Sequence, residues 1–223
     1  MKSRVLRSSL RLPALIAFLT AIAIFAQGTN YQDSYKGTPY RDSPSRSGPQ
    51  KIPGPVECAC FDLDGEGVLY HDTDSKNNGS GGLNPADGTY LNQFRMDEGV
   101  DTSYTKFHDQ IDNNPYDLVQ PPENKLPVGW TEPGESFNIT VQVTHTGLYS
   151  ADPLYTSNRG GAISLDVNGK DASGPVAIVS TFHSKIQLPD ASGIIATSCQ
   201  GLCGFELLMG KTFSLLTFSR KGT

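Results

Sequence analysis

Residues 137–167 read FNITVQVTHTGLYSADPLYTSNRGGAISLDV. Phe137, Ile139, Val141 and Val143 alternate with Asn138, Thr140, Gln142 and Thr144. A period of two is what a strand shows when one face is buried and the other solvated. Gly147 breaks the run, and residues 148–156 resume it as a second strand. After Gly160-Gly161, Ile163, Leu165 and Val167 alternate again and meet Asn168-Gly169, a dipeptide suited to the left-handed positions of a two-residue hairpin turn. Residues 176–181 supply the returning strand. Short strands divided by turn chemistry, with no helical pattern of ten residues, predict an all-β fold, an antiparallel β-sandwich or barrel.

Outward from this core the chain is irregular. Residues 56–61 and 68–71 read as short strands around the turn DLDGEG (62–67). Residues 72–92 form a loop rich in Asn, Gly and Asp, and a second irregular stretch spans 101–126. Long loops within a compact domain are usually functional, carried on a rigid scaffold. Residues 27–51 are polar and punctuated by Pro, Gly and Ser, as a linker or an N-terminal arm lying over the domain would be.

Charge divides the 223 residues further. The whole chain carries 18 Lys+Arg against 23 Asp+Glu, a net charge of −5. That balance argues against a protein that coats nucleic acid, which needs a basic surface to displace counterions. Residues 1–26 hold four bases and no acid and end in the apolar run LPALIAFLTAIAIFA, the pattern of a secretory signal peptide cut after Ala26. An uncleaved anchor is the alternative, although a span usually needs about 20 apolar residues. Export implies a secreted, extracellular or periplasmic protein. Residues 27–183 are strongly acidic, whereas 184–223 carry a small positive excess.

Cys58, Cys60, Cys199 and Cys203 permit three disulfide pairings, among which sequence does not choose. On a strand, Cys58 and Cys60 would point to opposite faces and be poorly placed to bridge each other. Their C-x-C and C-x-x-x-C spacings are unlike a zinc site. His71, His108, His145 and His183 are scattered without ligand spacing, and no nucleophile elbow, zinc-protease helix or phosphate loop occurs. Acids are plentiful, but none falls in a recognisable glycosidase pair, so the residues read as those of a binder.

Four segments resemble carbohydrate-binding module family 6: IPGPVECACFDLDGEGVLYHDTD (52–74), RMDEGVD (95–101), VGWTEPGESFNITVQV (128–143) and GGAISLDVNGK (160–170). The resemblance spans about residues 52–183. It implies a galactose-binding-like jelly roll, a non-catalytic module that binds a polysaccharide or oligosaccharide and usually accompanies a secreted glycoside hydrolase. A truncated hydrolase fragment and a structural or adhesive cell-surface sandwich are the competing readings.

Trp130, the only tryptophan, falls where the family carries a ligand-loop aromatic. Sugars present C–H faces beside hydroxyls, so an exposed ring with fixed polar neighbours would bind them; a core tryptophan is the alternative. Tyr70, His71, Asp72 and Asp74 would give the polar contacts, unless they form a solvated turn. The family often holds a structural calcium ion near its first strand, and Glu57 matches one of its acids. Ala59 stands where a second would be, which takes one carboxylate from a shell that wants six or more oxygens. Asp62, Asp64 and Glu66 mimic half an EF-hand loop, but position twelve is Thr73 and no flanking helices are predicted; a weak calcium site of another kind is left open.

The second aromatic of the family's GEW is Ser136 here, and the resemblance stops near His183. Residues 184–223 lack the Trp- and His-rich loop and the last strands, which points to a disturbed reading frame or a truncation. A divergent but genuine end, with a strand near residues 212–218, is the alternative. One aromatic face in place of two predicts weak binding.

Overall fold

The computed structural model describes residues 37–42, 48–106, 122–157 and 159–182, with the backbone of 197–198, 205–207 and 212–217. The signal-peptide segment, Cys199, Cys203, His108 and His183 lie outside the described residues. What is described is all-β, with a single turn of 3-10 helix at Cys58–Cys60.

The largest sheet has six strands. Strand β1 (Gln50–Ile52) pairs in parallel with β4 (Ile139–Val143), which continues the short β3 (Ser136–Phe137). β3 itself pairs antiparallel with β2 (Tyr70–His71). β5 (Gly147–Tyr149) and β6 (Leu154–Tyr155) follow, and β7 (Gly161–Val167) turns at Asn168-Gly169 into β8 (Lys170–Asp171). Both turn residues have positive φ, 50° and 73°, so the dipeptide makes the hairpin expected of it. β9 (Val176–Ile178) returns along β7. From the tail, β10 (Thr197–Ser198) pairs with β6 and β11 (Phe205–Leu207) with β5. β12 (Thr212–Thr217) inserts between β4 and β7, antiparallel to both, so the sheet order is β1-β4-β12-β7-β8 with β9 also on β7.

Phe137, Ile139, Val141 and Val143 are all buried and form one core with Ile52, Phe61, Leu69, Tyr70 and Val100. The opposite face departs from simple alternation, because Asn138 and Thr140 are buried too. Residues 62–69 cover that face: Asp62 accepts hydrogen bonds from the Thr140 amide (2.9 Å) and hydroxyl, and the Asn138 amide group donates to the Leu69 carbonyl (3.1 Å). Polar residues on a strand go inside when partners satisfy them.

Three expectations change. Residues 148–156 are not one strand but divide between β5 and β6. Residues 56–61 are not a strand: Cys58–Cys60 form a 3-10 turn, closed by the Cys60 amide on the Glu57 carbonyl at 3.0 Å. Opposite-face geometry therefore does not describe the two cysteines, both thiols here. Strand pairing also begins at Gln50, two residues ahead of Ile52, and includes a parallel pair. The arm returns to the body at residues 38–40, where the Thr38 carbonyl accepts from the Leu63 amide (3.0 Å) and Tyr40 packs edge-on to Phe94.

Arg95 ties these layers together. Its guanidinium stacks on Phe61 at 3.3 Å, faces Tyr40 at 4.9 Å, and donates to the Phe61 and Asp62 carbonyls and both Glu98 oxygens. Only 3% of its side chain is exposed. Among the described residues no helix is long and apolar enough to cross a membrane.

Candidate functional site

β2 delivers the YHDTD segment to one end of the core. Tyr70 is 6% exposed, its ring lies edge-on to Phe61, and its hydroxyl oxygen accepts the Gly99 amide at 3.1 Å. It supports the site from behind and is not presented to a ligand, a correction to the expected sugar contact. The reason is periodic: Tyr70 is opposite Phe137 in the β2–β3 pair, on the core face.

His71, next in the strand, turns outward and meets Glu66, Nδ1 to Oε1 at 2.7 Å, while the second Glu66 oxygen accepts the Asp72 amide at 3.0 Å. Asp72 in turn accepts the Asp74 amide (2.8 Å), a self-capped turn of the kind Asp favours. His71 and Asp72 line a shallow depression with Val100, Val128, Thr131, Glu135, Ser136 and Phe137.

Two acids outside the expected set complete this surface. Glu135, 7% exposed, accepts the Thr73 hydroxyl (2.6 Å) and the Glu132 amide (2.6 Å), pinning 72–74 to the segment that leads into β3. Asp101 accepts the Asn78 backbone amide, and Asp74 accepts the Asn78 side-chain amide (2.7 Å). Four carboxylates thus crowd one patch. Burial, then Glu135, Asp101 and Asp74, push the Asp72 carboxyl up to about 7. Burial also raises Asp101. Sequence gave no sign of this crowding, since 62 residues separate Thr73 from Glu135.

The raised Asp72 makes stability depend on pH. An unfolded Asp titrates near ~4. Between about 4 and 7 the folded chain therefore holds more protons than the unfolded one, and stability falls as pH rises through that window. Asp72→Asn keeps an oxygen for the Asp74 amide and carries no charge. It is expected to flatten the decline and to gain on the order of 1 kcal/mol at pH 7.5, well below full linkage because the carboxyl is partly solvated. Urea midpoints from pH 4.5 to 8 measure this, and a variant weaker than wild type at pH 7.5 would contradict it.

Trp130 stands beside the depression, between Gly129 and Thr131. It is 52% exposed, so it is not a core tryptophan. The Gly129 amide bonds the Asp101 carbonyl (2.9 Å) and Val128 bridges Thr102, which places the ring next to the loop that holds Asn78. Trp130 lies against Gly79, in the loop whose Asn78 side chain donates to Asp74, while its neighbours Val128 and Thr131 line the depression with His71 and Asp72; Tyr70 is inside.

Glu57 lies elsewhere. Its carboxylate meets the Lys125 ammonium at 2.6 Å, and Gln50 brackets its backbone. A cation already at the carboxylate, and no oxygen on the Ala59 side chain, make this a poor fit for calcium. The acids of the DLDGEG turn also diverge: Asp62 faces Thr140, Asp64 meets Thr38 (3.0 Å) and Glu66 meets His71. Among the described residues no group of three or more His, Cys, Asp or Glu side chains is arranged to hold a metal ion. Compared with known proteins, the chain matches no family model and no curated protein.

Proposed function

We propose that the chain is a non-catalytic carbohydrate-binding module of a secreted protein, and that its strands form a jelly-roll sandwich presenting a glycan site at Trp130. The observation that carries this reading is the exposed indole beside a shallow depression edged by His71 and Asp72. An apolar ring can cover the C–H face of a sugar while carboxylates and an imidazole take its hydroxyls. The neighbouring acids are held by backbone amides and by Asn78, an arrangement that fixes polar partners in place before a ligand arrives.

With Ser136 where the resemblance expects a second aromatic, contact area is small, so binding is weak and affinity electrophoresis in gels containing xylan, β-glucan or agar suits it. Retarded migration in at least one gel is expected, with no reducing-sugar release. Trp130→Ala should weaken that retention by about tenfold or more, equivalent to roughly 1.4 kcal/mol. Retention that survives the substitution unchanged, or release of reducing sugar, would sink the proposal.

A further inference from the structure

The loop under Trp130 contains a buried side chain that the glycan reading leaves unused. Asn77 is 6% exposed, and its Oδ1 accepts three backbone amides: Gly79 at 3.0 Å, Ser80 at 2.8 Å and Thr102 at 3.1 Å. Its Nδ2 donates to Thr102 Oγ1 at 2.7 Å and to the Arg95 carbonyl at 3.4 Å. The Ser80 hydroxyl donates to the Thr102 carbonyl (3.2 Å) and lies 3.0 Å from the Thr102 hydroxyl. A buried amide that satisfies so many groups does for two loops what a ladder does for strands, locking 77–80 against 102 in one arrangement.

The lock has a product. It brings Gly79 so close to its neighbours that a Cβ there would stand 2.1 Å from the Thr102 carbonyl oxygen and 2.8 Å from Trp130 Cζ3. The indole thus rests against a stretch of backbone with no side chain between. Trp130 also has φ 48°, the left-handed region that bulky L-residues rarely enter. Such a conformation persists only where the surroundings over-determine it, and here the Gly129 amide on Asp101 and the Thr102–Val128 bridge supply the restraint.

We infer that the Asn77 loop is a preformed seat for the Trp130 ring, which makes Asn77 and Gly79 positioning residues for the aromatic platform. A ring fixed in advance loses little side-chain freedom when a ligand arrives, and more of the contact appears as affinity. The consequence for binding rests on the glycan reading above; the seat itself is a matter of how firmly the indole is held.

Trp130 is the only tryptophan, so fluorescence reports this one ring. Asn77→Ala removes the shared acceptor, whereas Asn77→Asp keeps an acceptor oxygen for the three amides. In the intact chain, at a temperature where circular dichroism shows each variant folded, Asn77→Ala is expected to raise acrylamide quenching of Trp130 roughly twofold. It should also weaken retention in the polysaccharide gels by about fivefold. Asn77→Asp should recover part of both losses, because its first oxygen still accepts the three amides while its second cannot donate to Thr102 Oγ1 or the Arg95 carbonyl. Time-resolved anisotropy of the wild-type chain needs no variant: a restricted indole is expected, and one rotating freely overturns the seat even if Asn77→Ala fails to fold. A folded Asn77→Ala with wild-type quenching also overturns it.

The two readings fail separately. If Trp130→Ala changes retention in no gel while Asn77→Ala loosens the ring, the glycan reading falls and the seat stands. If Trp130→Ala abolishes retention while Asn77→Ala matches wild type in both measurements, the seat falls and the glycan reading stands.

Discussion

A chain ending at His183 is expected to lose its cooperative unfolding transition. The cut removes β12, which bonds to β4 from Thr212 to Leu215 on one side and to β7 through Leu215 and Thr217 on the other. Adjacent strands lie about 4.8 Å apart, so its loss leaves β4 and β7 facing each other across a gap of about 10 Å. Both would then expose unpaired amides and carbonyls along an edge, an arrangement that invites association between chains. β5 and β6 would lose their partners as well. A domain has only about 5–15 kcal/mol of net stability to lose, and removing a central strand exceeds what that margin tolerates. Urea titration followed by circular dichroism would decide. A truncated chain that melts cooperatively, with the denaturant dependence of the full one, would show that β12 is dispensable.

Arg95→Ala is expected to destabilise the fold by about 2–4 kcal/mol, from the loss of a buried, packed side chain and of hydrogen bonds to two carbonyls, while Glu98, partly exposed, regains water. The substitution strips hydrogen bonds from two carbonyls and from Glu98 and leaves a void between Phe61 and Tyr40. Arg95→Lys should recover little, because an ammonium lacks the flat fork that stacks on a ring and reaches several oxygens at once. Thermal denaturation of the two variants measures this, and a loss under about 1 kcal/mol for Arg95→Ala would place its role at the level of a surface pair.

The strands carried by strong local signals were legible in the sequence. Alternation marked residues 137–143, and Asn168-Gly169 marked the β7–β8 turn, since both depend on neighbours within a few positions. What sequence did not show depends on contacts made across long loops. Residues 56–61 had an apolar pattern fit for a strand, yet they wind into a 3-10 turn, with Ala59 and Cys60 packed in a second core beside Phe94 and Leu126. Thr140 looked solvent-facing because Asp62, its partner, lies 78 residues away. At the site, Trp130, His71, Asp72 and Asp74 were visible as residue types suited to sugars. Asn77, Asp101 and Glu135 were not, because each acts by accepting backbone amides, which leaves no trace in local composition. Arg95 and Asp101, within a stretch that resembled a family motif, turn out to bind the chain to itself.

The 3-10 turn also bears on how the protein acquires its covalent form. Burial, then Cys60 and Glu57, push the Cys58 thiol up to about 12, so near neutral pH only ~1 in 10,000 or fewer of these sulfurs is a thiolate. Disulfide exchange proceeds through the thiolate. Once the turn has closed, the thiolate at Cys58 is disfavoured, and oxidation at that position is slower than in the open chain. Whether an oxidant meets Cys58 before or after closure of this turn would decide whether the molecules form one covalent population or two.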